Sequence, residues 1–393
     1  MNQHKKGNKI KVKSIFIIPS PPTLTLPATF NVWRAMQEIF NTVYIIVQEE
    51  NEWTLRINKN HTESHIQMKI KYKSSKHKQM LEFLALIGLL KLRKNIDVVL
   101  LYQCGYSALI SLFVRILGKK VVVFLGGSRW DVIKANMTYS PSGIYQTIRL
   151  LPFDIGLSFL TLLLSHKVIL VTSLISNDPI VSLFKYKIFI AYNLPSDDLF
   201  HKFKPLIEIS KRDHVVGYVG AMRIVKGIHH LMGAIRLIKS SRMDIKFIII
   251  SDYTICEPHT LFDDIKKTLR LPNISLLKHV DNKDLPTFLN NMRLLVVPSF
   301  SEGLPSVVIE AMACKTPVLV NPVGALRNII RDGITGYLLS TNTPESIAQS
   351  ILKLIDNDVE LTNVSNRAYD YLRNNFDFRI MVGMWKKALS GII

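Results

Sequence analysis

Cysteine is scarce in this chain. Its 393 residues hold three, Cys104, Cys256 and Cys314, far apart and with no CxxC pair. That excludes a disulfide framework and leaves structural zinc without a ligand cluster. A reducing compartment, the cytoplasm, is the expectation. Long apolar runs are missing too. The longest, LLPFDIGLSFLTLLL over 150–164, is interrupted by Pro152 and Asp154 and falls short of the roughly 20 residues that cross a bilayer. Near the start, IFII is too short for the core of a secretory signal. Repeats and low-complexity tracts are absent. Acidic residues are few, 30 Asp+Glu against 50 Lys+Arg, for a formal charge of +20, so an anionic partner is expected. Nucleic-acid binding would call for aromatic residues interleaved with Lys and Arg, for stacking on bases; no such interleaving occurs, and no nucleic acid is expected. No Asp-x-Asp stands at the end of a predicted strand, and no metal is expected.

What is present is a rhythm. Short Val/Ile-rich runs at 14–18, 43–47, 98–102, 120–125, 167–173 and 187–192 alternate with amphipathic segments. After a break the rhythm resumes at 214–220, 246–251, 275–280, 294–299, 317–322 and 336–340. The runs are continuous rather than alternating, as in strands buried on both faces of a parallel sheet. Repeated β-α-β units predict an α/β fold of two doubly wound domains. The break, 193–213, is polar and contains two prolines. The expected division is 1–195, a linker over 196–213, and 214–375. Two such domains face each other across a cleft, and ligands bind beyond the carboxyl ends of the strands. The charge is uneven: residues 1–200 carry 25 Lys+Arg against 12 Asp+Glu.

One stretch concentrates chemistry. In PSFSEGLPSVVIEAMA (298–313) a strand ends, Glu302 and Gly303 follow, Pro305 suits the first turn of a helix, and Glu310 lies inside it. Gly303 permits close backbone approach. Amides from Gly303 to Val307 are placed to attract a phosphate, and two carboxylates can accept from hydroxyls. The spacing suits a nucleotide sugar. It equally allows Glu302 to be a charge at a helix start and Glu310 a solvated helix residue. In VGYVGAMRIVKGI (216–228), Gly220 is a turn at a strand end, followed by Arg223 and Lys226. Fixed cations there can neutralise a diphosphate leaving group, although Lys and Arg near turns are commonly just solvated.

The segment PSFSEGLPSVVIEAMACKTPVLVNPVGALRNIIRDGITGYLL (298–339) resembles the signature of the GT-B glycosyltransferases, in particular the retaining glycosyltransferase family 4, also described as glycosyl transferases group 1. The resemblance is dense over 214–340 and weaker before 190. It implies that Glu302 contacts the transferred sugar, that Gly303 and Leu304 hold sugar and phosphate, and that Glu310 holds the ribose. Gly220, Arg223, Lys226 and Gly227 fit the family's basic loop, with Ala221 where many members have arginine. Backbone near Lys278 to Val280 is expected to meet the base, and Asn193 to set the hinge. Residues 376–393 resemble the helix that crosses back onto the first domain, with Phe376, Phe378 and Trp385 as anchors.

The first domain departs from the family. PSPPTLTLPATFNVW stands where members carry a Gly-Gly loop. After VVVFL comes Gly126-Gly127-Ser128-Arg129-Trp130-Asp131, whose Gly126, Gly127 and Asp131 are acceptor-side candidates; the alternative is an ordinary strand-to-helix turn. Residues 69–94 place eight Lys/Arg around an apolar helix. That helix fits either an anionic leaflet or a buried core with solvated ends. The resemblance thus implies a peripheral enzyme on the inner face of the plasma membrane. It would pass a hexosyl or N-acetylhexosaminyl group from a nucleoside diphosphate-sugar to a lipid-linked saccharide, with retention and no further cofactor, in making O-antigen, capsule or exopolysaccharide. A nucleotide-sugar epimerase or hydrolase of related fold, and an inactive membrane-bound partner, are the alternatives.

Overall fold

All twelve expected strands are present in the computed structural model, which describes residues 14–19, 27–49, 52–59, 62–68, 77–102, 108–128, 130, 133–134, 152, 155–194, 196, 198–251, 265–278 and 280–392. The first sheet is built from β1 (Ser14–Pro19), β2 (Thr42–Glu49), β3 (Glu52–Lys59), β4 (Thr62–Met68), β5 (Val98–Tyr102), β6 (Lys120–Leu125), β7 (Lys167–Leu170) and β8 (Ile188–Ile190), in the order β4-β3-β2-β1-β5-β6-β7-β8. From β2 to β8 the pairing is parallel. Every residue of β5 is buried, as its unbroken VVLLY run requires.

β3 and β4 are an addition that the apolar-run pattern passed over. They pair antiparallel, β2 with β3 and β3 with β4. Their sequences, EWTLRINK and TESHIQM, mix polar and apolar residues, which suits strands that extend a sheet toward solvent rather than sit in its centre. The polar β4 forms the edge, where exposed apolar pairing would invite aggregation.

The second sheet contains β9 (Val215–Val219), β10 (Lys246–Ile250), β11 (Ile274–Leu277), β12 (Leu294–Val297), β13 (Val318–Val320) and β14 (Tyr337–Leu338), ordered β11-β10-β9-β12-β13-β14 and wholly parallel. One core cluster fills the space around β9 and β10 with Leu231, Ile235 and Ile347. A larger one runs from the first sheet through Trp385 to Val308 and Val318 of the second lobe.

The segment joining the sheets is tied down. Asn193 Nδ2 donates to the Tyr102 hydroxyl at 2.7 Å, and Leu199 and Phe203 are buried. The final helix, Phe378–Leu389, packs on the first lobe. Trp385 is fully buried, its ring 5.3 Å from that of Phe124, and its Nε1 donates to Tyr192 O at 3.0 Å. Phe376 stacks on Tyr192 at 4.7 Å. Helix His77–Leu92 buries Ala85, Leu89 and Leu92 in the first core and exposes Leu90 and Lys91. Its described half is thus a core helix with a solvated basic end. Among the described residues no helix is long and apolar enough to cross a membrane.

Candidate functional site

Two loops of the second lobe meet at the carboxyl ends of β9 and β12. After β9, Gly220 turns the chain and donates its N–H to Ile250 O at 3.0 Å. Lys226 then ends a short 3-10 turn, and Gly227, at φ 68°, begins helix Ile228–Lys239. A Cβ at Gly227 would stand 1.8 Å from Pro298 O, so that approach requires glycine. Phe300 N–H donates to Val225 O at 2.8 Å and stitches the two loops together.

The stitch brings together two of the candidate residues, which the sequence had not paired. Lys226 Nζ donates to both carboxylate oxygens of Glu302, each at 2.8 Å. The Glu302 side chain is only 9% exposed and that of Lys226 30%. Ser299 Oγ donates to Glu302 Oε1 at 2.7 Å, and Asn321 Nδ2 holds Ser299 O at 2.8 Å. Below them lies Tyr218. Burial first, and the Glu302 charge second, push its phenol well above the usual tyrosine range. It stays neutral and donates to Ala221 O at 2.9 Å. Arg223 is exposed at the start of the same turn.

Beyond Glu302 comes helix Ser306–Ala313, with Pro305 at its cap position and no side-chain cap. The amides of Gly303, Leu304, Ser306 and Val307 donate to no backbone acceptor among the described residues. An uncapped helix start of this kind presents free N–H groups and positive potential to an anion. Gly303 also meets the other lobe: a Cβ there would lie 1.5 Å from Gly126 O. The expected acceptor-side glycines and the donor-side loop are therefore neighbours. Gly303 O accepts from Ala325 N–H at 2.8 Å, which sets the 322–326 loop behind it. A cavity of about 420 Å³ opens between the lobes, with Thr172, Tyr192, Leu304, Asn328 and Tyr371 in its lining. Asn328 Nδ2 bridges it to Thr172 Oγ1 at 3.1 Å.

Glu310 departs from the solvated alternative. It is 5% exposed, and burial raises its carboxyl to about pH 7, with Lys202 pulling the other way. Lys202 also donates to Asn282 Oδ1 at 2.9 Å, beside half-buried Val280. Glu310 shares no hydrogen bond with the Lys226–Glu302 pair; it belongs to a second group with Lys202. Asp131, and His279 next to Val280, lie outside the described residues.

A pH dependence follows. The folded chain binds a proton at Glu310 more tightly than the unfolded chain, so stability contributed by the neutral form falls as pH rises from about 4.5 to about 7. Glu310→Gln should melt near wild type at pH 5 and be more stable at pH 8, by up to on the order of 3 kcal/mol. Thermal melts at the two pH values check it; equal differences at both would contradict it.

Sequence reasoning missed Ser299 and Lys202. Ser299 sits three residues before Glu302 in the quoted motif, and that spacing was a signal. Lys202 lies in the joining segment, more than a hundred residues from Glu310, and no local pattern pointed to it.

Residues 201–371 match the family described as glycosyl transferases group 1. Over 195 residues the chain is 30% identical to the capsular polysaccharide biosynthesis glycosyltransferase CapM of Staphylococcus aureus, covering 48% of each. The chain thus spans about half the length of this relative. Two solved structures share the whole fold: sucrose-phosphate synthase from Thermosynechococcus elongatus, with TM-score 0.73, 14% identity and 95% and 98% of the two chains covered, and Anabaena HepE in complex with UDP and glucose, with TM-score 0.67, 14% identity and 97% and 100% covered. The fold is GT-B, two Rossmann-like lobes, and its second lobe is similar to the glycosyl transferases group 1 family over residues 201–371.

Proposed function

We propose that the chain is a glycosyltransferase of cell-surface polysaccharide synthesis that moves a hexosyl or N-acetylhexosaminyl group from a nucleoside diphosphate-sugar to a lipid-linked saccharide, with retention and without a metal. The observation that carries this is the Lys226–Glu302 pair, fixed on the second lobe beside an uncapped helix start and next to Gly303, which meets Gly126 of the first lobe. The relative in capsule synthesis and the fold neighbour complexed with UDP and glucose support the same reading.

In this reading the diphosphate lies along the amides of Gly303, Leu304, Ser306 and Val307. Lys226 and Arg223 neutralise the charge that grows on it as the glycosidic oxygen departs. Glu302 accepts from hydroxyls of the sugar and keeps Lys226 in place. Glu310 accepts from the ribose and Val280 borders the base. The acceptor hydroxyl gives its proton to the departing phosphate, on the face where the bond breaks. Gly126 and Gly127 close the site from the other lobe.

A binding screen against uridine, guanosine and adenosine diphosphates, then against nucleotide sugars of the preferred base, tests the donor site. Donor consumption that depends on added membrane extract is the expected result; consumption without acceptor would favour an epimerase or hydrolase. Glu302→Gln should reduce transfer about 100-fold or more. Turnover at the parent rate would remove the role assigned to it.

A further inference from the structure

The outer surface of the first lobe carries an unexplained apolar stripe. β5, β6 and β7 step across the sheet in one direction. Right-handed crossovers then put the connecting helices, Ala108–Ile116 and 155–164, on one face. β1 to β2 steps the other way and sends helix Pro27–Gln37 to the opposite face, where Phe378–Leu389 also packs. Helix Ala108–Ile116 turns Ala108, Ile110 and Val114 inward. Its other side shows Leu109 at 70%, Leu112 at 44% and Ile116 at 72% exposure. Positions i, i+3 and i+7 form one stripe. Phe159 and Leu163 are exposed on the helix whose end Arg115 meets through His166, and Tyr186, 76% exposed, precedes Lys187, whose Nζ reaches Leu163 O.

Cations rim the stripe. Arg115 and His166 are hydrogen-bonded, joining the ends of the two helices. Lys187 Nζ donates to Leu163 O at 3.0 Å and Ser165 O at 2.8 Å. Arg115, Lys120 and Lys185 are exposed. Across 85–125 and 155–190 the chain has nine Lys/Arg and two acids; of the acids, Asp178 is buried and Asp97 half-buried. The field is felt locally: burial first, then Arg115, Lys120 and Lys187, hold the His166 imidazole down to about 4.

The geometry points to this surface, Leu109, Leu112, Ile116, Phe159, Leu163 and Tyr186 ringed by Arg115, Lys120 and Lys185, as the place where the protein docks on an anionic lipid leaflet. An apolar stripe sinks into the interface while lysines and arginines at its margin meet the headgroups. A second copy is a poor occupant, since a two-fold contact would set like charges against each other. The surface serves the lipid-linked acceptor proposed above and rests on that reading for its purpose. Its test uses neither donor nor acceptor, so the two fail separately.

The full chain is sedimented with phosphatidylcholine vesicles with and without phosphatidylglycerol, and its self-association is followed by analytical ultracentrifugation. Binding that requires phosphatidylglycerol is expected. Leu109→Ser with Ile116→Ser should weaken it at least about tenfold, and Lys120→Gln with Lys185→Gln about fivefold per lysine, both with unchanged melting temperature. Vesicle binding unchanged from wild type in both variants would overturn the assignment. So would binding that ignores phosphatidylglycerol, or a concentration-dependent dimer that the apolar variant abolishes while wild type stays off the vesicles.

Discussion

Lys226→Met should lower transfer by about 10²–10³-fold and also weaken nucleoside diphosphate binding. The ammonium makes two 2.8 Å hydrogen bonds to Glu302. Its removal takes a cation from the leaving group and strips a largely buried carboxylate of its charge partner, leaving on it, among the described residues, the Ser299 hydroxyl. The two losses are separable. Lys226→Arg keeps the charge, so it should retain most diphosphate affinity while transfer falls, because a planar fork does not reproduce a compact ammonium against both Glu302 oxygens. Calorimetry with the diphosphate and steady-state rates with the full substrates check this. Wild-type diphosphate affinity in Lys226→Met would show that the cation plays no part in holding the leaving group.

Gly303→Ala should be equally damaging for a different reason. Its new methyl carbon would stand 1.5 Å from Gly126 O, so either the glutamate loop or the lobe opposite must withdraw. A displacement near 1 Å at a reacting site costs about 100-fold. Gly127→Ala is the comparison: its methyl would sit 3.9 Å from Gly303 N, an ordinary contact, so it should cost far less activity than Gly303→Ala. Melting temperatures of both variants should remain close to wild type, since neither position lies in a core. If both lose activity equally, the close approach of Gly303 to Gly126 is not the cause.

The sheets were readable because strands covered on both faces are written as unbroken apolar runs, and VVLLY or KVVVFL admits few other readings. β3 and β4 escaped because their polar-apolar mixture carries no such run. In helix His77–Leu92 apolar residues surround the axis, which says that it is covered without saying by what; Ala85, Leu89 and Leu92 prove to face the sheet. The site divided along similar lines. Lys226 and Glu302 were legible since each sits in a dense local motif at a strand end. The tie between Val225 and Phe300, the meeting of Gly303 with Gly126 and the charge of Lys202 on Glu310 join residues remote in the chain, and nothing local encodes such contacts.

The helix Phe378–Leu389 imposes an order on assembly. Trp385 fills the first lobe beside Phe124, and Lys167 Nζ donates to Ala388 O at 2.9 Å. Folding during synthesis generally completes domains in the order in which they emerge from the ribosome. Here the earlier lobe waits with a vacant groove while the later one is translated, and the helix that follows the second sheet seals it.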